Sequence, residues 1–579
     1  MSFKDVNPDA YRFLDDYRGR DFTGEWPTVV EMFNISVKRF GERECFKAFS
    51  PELLTFTYRE AYDKIQAVSR YLLSTGVKKG DKIAVSGKNS PEWAIAYLGV
   101  LYAGCIVVPL DISHSDHDME TLMAFGDVRR LFIDRDRTET IDKDGRVGLE
   151  AIYSLEKGAE VPYVLDMDAE CDIVPYRACE DDVAAILFTS GTTGTPKGVM
   201  LTHRNLVSDT YIAQLYMKLY PTDVFYAILP IHHAYTMLAV FFETISVGAS
   251  CVFGKRLVVT QMLKELREGK ITMLLAVPML FNKLISALMD GVKKKSRVLY
   301  GVIRFMMSIS GFLKKYFHIK VGKKWFSFLL KKISLENCRI CICGGGPLPA
   351  STFKLFNQLG IDFVQGYGLT ETSPITHLNP VEAYKEESVG RFLPAVETKI
   401  VDPDSDGNGV LYVRGPMVMK GYYKNEEDTK AVLSEDGWLN TGDVGHEDSD
   451  GYLILTGRAK SIIVTEGGKN VFPEEIENHF QLYYDIEELC VIGYLMDEKT
   501  KSEGIGIVVR PSKDCMKNHP DDLKQYIDSI VSTVNKELHA YSKITKVLIV
   551  DEELEKTSTK KVKRFAVQAK YVDILKEQA

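Results

Sequence analysis

Residues 189 to 198 of this 579-residue chain hold five hydroxyl side chains, three glycines and one lysine. Thr189, Ser190, Gly191, Thr192, Thr193, Gly194, Thr195, Pro196, Lys197 and Gly198 follow an apolar strand-like run that ends at Phe188. Glycines let backbone N–H groups approach an anion, the hydroxyls add donors, and the lysine supplies charge. The stretch therefore reads as a polyphosphate cradle. It is not a Walker A loop, because Lys197 follows proline and precedes glycine. A second glycine cluster, Gly344 to Gly346 before Pro347, contains no GxGxxG fingerprint and is no dinucleotide turn.

Four further segments accompany the loop: GYGLTETSP at 366–374, GWLNTGDVG at 437–445, GYLILTGRAKSIIVTEGGKNVFPEEIE at 451–477 and KTSTKKVKR at 556–564. In this order and spacing the five motifs closely resemble the adenylate-forming superfamily of acyl-CoA synthetases, adenylation domains and luciferases, over nearly the whole chain. The resemblance implies a carboxylic acid activated by ATP to an acyl-adenylate, with Mg²⁺ required, and then captured by a thiol such as that of CoA. Holding two anions together while neutralising a polyphosphate is a task of positioning and electrostatics.

Residue by residue, the resemblance implies that Thr189, Ser190, Gly191, Thr192, Thr193 and Gly194 hold the β- and γ-phosphates with Lys197. Tyr367, followed by Gly368, stacks on adenine; Thr370 contacts the α-phosphate, and Glu371 ligates Mg²⁺, a hard cation suited to carboxylate oxygens. Asp443 accepts the ribose hydroxyls and Arg458 meets the ribose from the other side. Lys561 faces the α-phosphate and the substrate carboxylate. Many relatives carry glycine before that lysine where this chain has Lys560, so a register one residue earlier is the alternative. Val410 stands where many carry glutamate. A hinge falls near Lys460, and a swing about it exchanges Lys561 for the Glu466, Gly467, Gly468 loop beside a pantetheine tunnel. His233, in LPIHHAYTM, lies near the acyl and thiol channel, and Gly345 and Gly346 lie against adenine and the acyl group. Either His232 or His233 could equally be a satisfied core residue.

These residues need elements to position them. Helix-like stretches such as YREAYDKIQAVSRYLLSTGV alternate with strand-like KIAVSG, CIVVPLD, RLFID and ASCVFG, and ITMLLAVP, CRICICGGG and IDFVQGYG continue the pattern. Alternation of this kind predicts an α/β fold: a large multi-layer N-terminal domain with mainly parallel sheets. Short strands and turns from about Glu397 predict a β subdomain. The expected division is a large adenylation domain over 1–457 and a small mobile α+β C-terminal domain over 458–579.

Composition bounds the rest. With 45% hydrophobic and 26% charged residues the chain is globular, and its net charge of -8 argues against a nucleic-acid partner. The first twenty residues carry no apolar core of a signal peptide, and the most apolar run, Thr236 to Gly254, contains Glu243. Cys338, Cys341 and Cys343 alternate like a buried strand and lack the partner ligands of a zinc site. A cytoplasmic location is expected. Between Gly291 and Lys332 lie ten lysines, two arginines and no acid, interleaved with Tyr300, Phe305, Met306, Met307, Phe312, Phe317, Trp325, Phe326 and Phe328. This segment carries +12, leaving about -20 for the rest, and predicts peripheral contact with the inner face of a membrane. The region looks expanded as it does in long-chain fatty acyl-CoA synthetases. Two rival readings are transfer of the acyl group to an acyl carrier protein, which would be acidic, and a non-catalytic nucleotide or acyl sensor on the same fold.

Overall fold

The computed structural model describes residues 9–170, 176–189, 196–255, 258–465, 469–497, 502–556 and 561–577. The chain divides into two units. The larger takes in residues 1–346, 350–398 and 413–439; the smaller takes in 347–349, 399–412 and 440–579. The expected mixed α/β class, with a large parallel-sheet unit and a smaller C-terminal one, is the architecture found.

Two sheets organise the larger unit. In one, the strands Asp362–Gly368, Ile340–Cys343, Met273–Ala276, Val224–Ala227, Ser250–Phe253 and Glu44–Ala48 run parallel in that spatial order, and antiparallel strands complete nine. In the other, Val183–Thr189, Ile106–Leu110, Lys82–Ser86, Val128–Ile133 and Ala151–Ser154 are parallel, and Lys197–Thr202 and Gly421–Tyr422 add an antiparallel edge. The strand-like runs read from the sequence are these buried parallel strands, which need apolar side chains on both faces. Cys341 and Cys343 lie on one of them, and burial pushes both thiols up. Helix Tyr58–Ser74 begins where expected because Thr57 and Glu60 form a capping box. The apolar run from Thr236 is buried core containing a π-helical turn over Met237–Phe242. No helix among the described residues is long and apolar enough to cross a membrane.

The smaller unit carries a three-stranded sheet. Ile486–Asp497 pairs antiparallel with Ser502–Pro511, which pairs parallel with Lys546–Ile549. Alternate side chains feed two cores. Val491, Ile505, Ile507 and Val509 pack with helix Leu523–Asn535 through Ile527 and Val531, while Cys490, Ile492 and Val508 pack with Val567, Tyr571 and Leu575 of helix Arg564–Glu577.

Helix His203–Ala213 of the larger unit buries polar groups, among them Asn205, Ser208, Asp209 and Thr210, beside Leu206, Val207 and Ile212. Its Asp209 accepts a hydrogen bond from the Ile375 N–H at 3.0 Å, and burial pushes its carboxyl well above the ordinary range. In the fold Asp209 thus keeps a proton that the unfolded chain releases above about pH 3.8. Its contribution is present at low pH and lost as pH rises toward the folded value, at about 1.4 kcal/mol per pH unit. Asp209→Asn retains an acceptor for Ile375 and removes the titration. The stability of this variant relative to the parent should therefore increase from pH 5 to pH 7 in denaturant unfolding; a pH-independent difference would contradict a protonated Asp209.

Candidate active site

The strands before the sequence motifs all point their carboxyl ends the same way within each sheet, so the loops that follow them gather along one edge. Val183–Thr189 leads into the hydroxyl-rich loop. Lys197 then opens the returning strand directly opposite Thr189, and the two side chains flank the mouth of a hairpin. Ser190, Gly191, Thr192, Thr193 and Gly194 lie outside the described residues. Lys197 is largely buried; its ammonium pairs with Asp428 at 2.8 Å and stands 4.9 Å from the centre of the Tyr422 ring.

Tyr422 joins this loop to the acid of the TE motif. Its hydroxyl donates to Glu371 Oε1 at 2.8 Å, and burial first, then the Glu371 charge, push the phenol up so that it stays a donor. Among the described residues the other Glu371 oxygen has no hydrogen-bond partner. The Met419 N–H donates to the Glu371 carbonyl at 2.8 Å, and Ser373 donates to the Met417 carbonyl at 2.9 Å. Asn205 fixes the far side of the same loop: its amide donates to the Pro416 and Val418 carbonyls at 2.7 and 2.8 Å while its oxygen accepts from the Thr202 N–H. Lys197, Tyr422 and Glu371, distant in sequence, thereby form one cluster.

Gly368 shows why the motif needs glycine. A Cβ there would lie 1.7 Å from the Pro374 carbonyl oxygen, inside the turn that presents Thr370 and Glu371. Tyr367 is half-buried, its ring 5.8 Å from that of His377, its cross-strand neighbour. Gly345 adopts φ +78°, the left-handed region that favours glycine, and Gly344 lies against the Tyr235 ring, whose hydroxyl donates to the Ile342 carbonyl at 3.0 Å. The glycine loop and the loop carrying His233 consequently meet at Tyr235.

His233 and its neighbour are held from the other sheet. Asn89 clamps the loop by donating to the Ala227 and Leu229 carbonyls, each at 2.8 Å, and by accepting from the Ile231 N–H. Asp111, at the end of Ile106–Leu110, stands 3.5 Å from His232 Nε2. Burial alone would raise Asp111, but the His232 hydrogen bond and charge and the Ser113 amide hold it below the usual carboxylate range. His233 is pushed down to about 3 by burial, then by His232, and its Nε2 is buried with no hydrogen-bond partner among the described residues. His233 is therefore a neutral imidazole near neutral pH, and the His232 ring stands between it and the Asp111 carboxylate.

The smaller unit assembles a second set. Asp443 and Arg458 are cross-strand partners in register, and their side chains pair at 3.0 Å. Lys561 remains exposed as a residue, yet its ammonium is lowered from the ordinary lysine value by desolvation first and by the Arg458 charge, with Asp443 opposing. Its motif companions are otherwise engaged. Arg564 binds Glu474 at 2.9 Å, Glu477 at 2.5 Å and the Val491 carbonyl at 2.5 Å, and Lys563 binds Glu555 at 2.7 Å. Thr557, Thr559 and Lys560 lie outside the described residues, as do Glu466, Gly467 and Gly468. Lys460 is exposed in a short turn over Ala459–Ser461.

Sequence reasoning missed Tyr422, Asn89, Asp111 and Asn205. Each acts through a partner remote in sequence, and only the Thr202 to Asn205 spacing, a capping box, carried a local signal.

Sheet order, loops and clustered acids define a class. The AMP-binding enzyme family matches residues 33–423, and the AMP-binding enzyme C-terminal domain matches 460–578. The chain belongs to the AMP-binding enzyme family, in the adenylate-forming superfamily, and is an AMP-forming acid-thiol ligase. It is 28% identical to a chloroplastic long-chain-fatty-acid–[acyl-carrier-protein] ligase of Arabidopsis thaliana, over 95% of this chain and 86% of that one. It is 26% identical to a long-chain-fatty-acid–CoA ligase of Bacillus subtilis, over 80% and 82%. Among solved structures, ATP-bound MatB from Rhodopseudomonas palustris superposes with a TM-score of 0.73 at 24% identity, covering 95% of this chain and all of that one. The o-succinylbenzoate CoA synthetase of Bacillus subtilis, in complex with ATP and magnesium ion, gives 0.72 at 22% identity, over 92% and 98%.

Glu477 is a half-buried acid whose carboxyl is raised by desolvation despite its pairing with Arg564. Arg564→Ala leaves that acid without its cation, and the smaller unit should lose about 1–3 kcal/mol. Denaturant unfolding monitored on that unit checks this; a loss below about 1 kcal/mol would mean that the clamp is dispensable.

Proposed function

We propose that the protein activates a long-chain fatty acid with ATP and transfers the acyl group to the thiol of CoA. A carboxylate oxygen attacks the α-phosphorus, the bond to pyrophosphate breaks, and acyl-AMP remains. The thiol sulfur then attacks the acyl carbon, gives up its proton, and AMP leaves. The observation that carries this reading is the Lys197, Tyr422 and Glu371 cluster, in which Lys197 opens the strand opposite Thr189. A cation beside an oriented carboxylate supports this reading, because a nucleotide triphosphate needs both.

In this reading Thr189 to Gly194 and Lys197 take the β- and γ-phosphates, and Lys197 exchanges its Asp428 partner for phosphate. Tyr367 stacks on adenine beside Gly345 and Gly346, Thr370 meets the α-phosphate, and Asp443 and Arg458 bind the ribose. Lys561 neutralises charge between the α-phosphate and the carboxylate. The hard oxygen of Glu371 left open by Tyr422 suits Mg²⁺, which when bound would neutralise the leaving pyrophosphate. His233, neutral and desolvated, lines the channel for acyl chain and thiol. The hinge at Lys460 and the Gly467, Gly468 loop serve the second step, with the small domain beginning near 458 as the mobile part. The long chain length is supported by relatives of 26–29% identity whose names carry it. A cytoplasmic setting suits the many buried free thiols.

The second reading, transfer to an acyl carrier protein, is favoured by the Arabidopsis relative's name and by the basic segment 291–332. Thioester formation assayed with CoA against holo-carrier separates the two. Fatty-acid-dependent ATP–pyrophosphate exchange across a chain-length series tests the activity itself, and its absence with every carboxylate would favour a sensor. Glu371→Gln should cut exchange by a large factor, on the order of a hundredfold or more. Lys561→Ala should abolish exchange while sparing CoA attack on supplied acyl-adenylate, and Lys460→Pro should do the reverse. Equal loss of both steps in Lys561→Ala would overturn the division of labour, and a silent Lys561→Ala beside a damaging Lys560→Ala would move the register.

A further inference from the structure

The basic segment folds as a two-sided helix. On Arg297–Phe317 the residues Ile303, Met307, Ser310 and Lys314 are buried against the larger unit. Lys314 is fastened there, donating to Asn357 Oδ1 at 2.7 Å and the Ile361 carbonyl at 2.8 Å and pairing with Asp362 at 2.9 Å. Lys314 therefore anchors the helix and adds nothing to its outer charge. Met307 and Phe326, part of the apolar set expected to face outward, are buried too.

The opposite face should be polar on a surface helix of this kind. It is not. Val298, Val302, Phe305, Ile309, Phe312 and Tyr316 recur at helical spacing, and Phe305 is 68% exposed, Phe312 55% and Tyr316 66%. Phe317, Ile319, Trp325 and Phe328 continue the exposed apolar surface past the helix end. Around it stand exposed Lys293, Lys294, Lys295, Arg297, Lys324, Lys331 and Lys332, and the segment holds no acid. A contiguous apolar stripe of this size with a cationic border marks an interaction surface.

Charge complementarity calls for an anionic partner, and the residue types choose its class. Protein interface cores are depleted in lysine, yet ten of the twelve cations here are lysines, whose long stems snorkel from apolar surroundings to a charged headgroup layer. Aromatic rings with lysines around them are the composition of helices that lie in a lipid interface. We propose that the outward face of Arg297–Phe317, with Phe317 to Phe328, docks on an anionic lipid bilayer, its aromatic stripe entering the headgroup and acyl boundary while the lysines meet the lipid phosphates.

The location adds a purpose that rests on the reaction proposed above. Helix Pro278–Lys295 starts beside the glycine loop, where a Cβ on Gly346 would lie 3.7 Å from Pro278, and ends in Lys293–Lys295. Its eighteen residues span about 27 Å. The docked face therefore lies one helix length from the loop assigned to the acyl group, within reach of an amphiphilic acid held in the bilayer.

The test uses the whole protein with vesicles of phosphatidylcholine containing about 30% phosphatidylglycerol, and with phosphatidylcholine alone. Binding is expected on the anionic vesicles and should weaken as salt rises. Brominated lipid should quench Trp325; Trp26 and Trp93 are buried, and a Trp325→Phe variant separates its signal from that of the half-buried Trp438. Phe305→Ser combined with Phe312→Ser should lower the partition more than tenfold with an unchanged thermal midpoint, and Lys293→Gln, Lys294→Gln, Lys295→Gln should measurably reduce the salt dependence. Failure of the parent protein to bind anionic vesicles at low salt, or unaltered binding by the double phenylalanine variant, would overturn the proposal. So would a double variant that loses binding to a holo-acyl carrier protein while its vesicle partition is unchanged. Pyrophosphate exchange on a short soluble acid without lipid reads the reaction separately: its loss in the parent sinks the activity and leaves the vesicle result standing.

Discussion

Glu371 is useful only if its carboxylate is held still, and it sits on a short turn with little regular structure of its own. What holds it comes from helix His203–Ala213 and the loop 416–423. Asn205 clamps that loop, Asp209 takes the amide of Ile375, and Tyr422 reaches Glu371 from the strand Gly421–Tyr422. Each is a polar group buried at a cost that only a made hydrogen bond offsets, and losing one partner would expose the full desolvation penalty of the other, about 1–3 kcal/mol. Burying polar side chains beside Leu206, Val207 and Ile212 gives up some apolar packing in exchange for hydrogen bonds that orient the neighbouring loops.

Parallel sheets supply the second half of the arrangement. Since the strands within a sheet share a direction, loops from widely separated positions reach one edge without any contact between them in sequence. Thr189 and Asp111 stand at the carboxyl ends of their strands in one sheet, and His233, Gly345 and Glu371 follow theirs in the other. Asp111 to His232 and Tyr235 to Gly344 then tie neighbouring loops together. His233 gains from this an environment dry enough to keep it neutral, so it can offer a dipole and a hydrogen bond but no charge.

Much of this was legible in the sequence. Buried parallel strands announce themselves as short apolar runs between amphipathic helices, and the runs from KIAVSG to IDFVQGYG became strands nearly as bounded. The glycines were legible for a similar reason: Gly368 is forced by a backbone carbonyl that no other residue could approach. Two kinds of information were not local. Tyr422 lies 51 residues from Glu371, and nothing around it distinguishes an acid-orienting tyrosine from a core one. Facing was the other: the same basic and aromatic letters of 291–332 include Lys314, Met307 and Phe326, which the fold turns inward, and only packing separates them from Phe305 and Phe312.

That separation explains how so many exposed apolar groups coexist with a stable domain. Lys314 carries its charge into the unit to meet Asp362, which Lys320 also pairs at 2.8 Å, and Lys315 meets Glu386 at 2.8 Å. Lys314 and Lys315 of the helix, with Lys320 just past its end, thus fasten the segment to its own domain through acids supplied by chain outside it. With the inner face fixed by charge as well as by Ile303 and Met307, the outer face is released from any duty to the core. A helix held by apolar contacts alone could roll its aromatic stripe inward, because burying Phe305 and Phe312 would be favourable by about 2 kcal/mol each. The buried ammonium prevents that roll, since turning the helix would leave Lys314 and Asp362 apart and Asp362 without its inner partner. The acid-free run of sequence and its one buried lysine are therefore parts of the same device: the lysine sets the rotation that keeps the aromatic residues facing out.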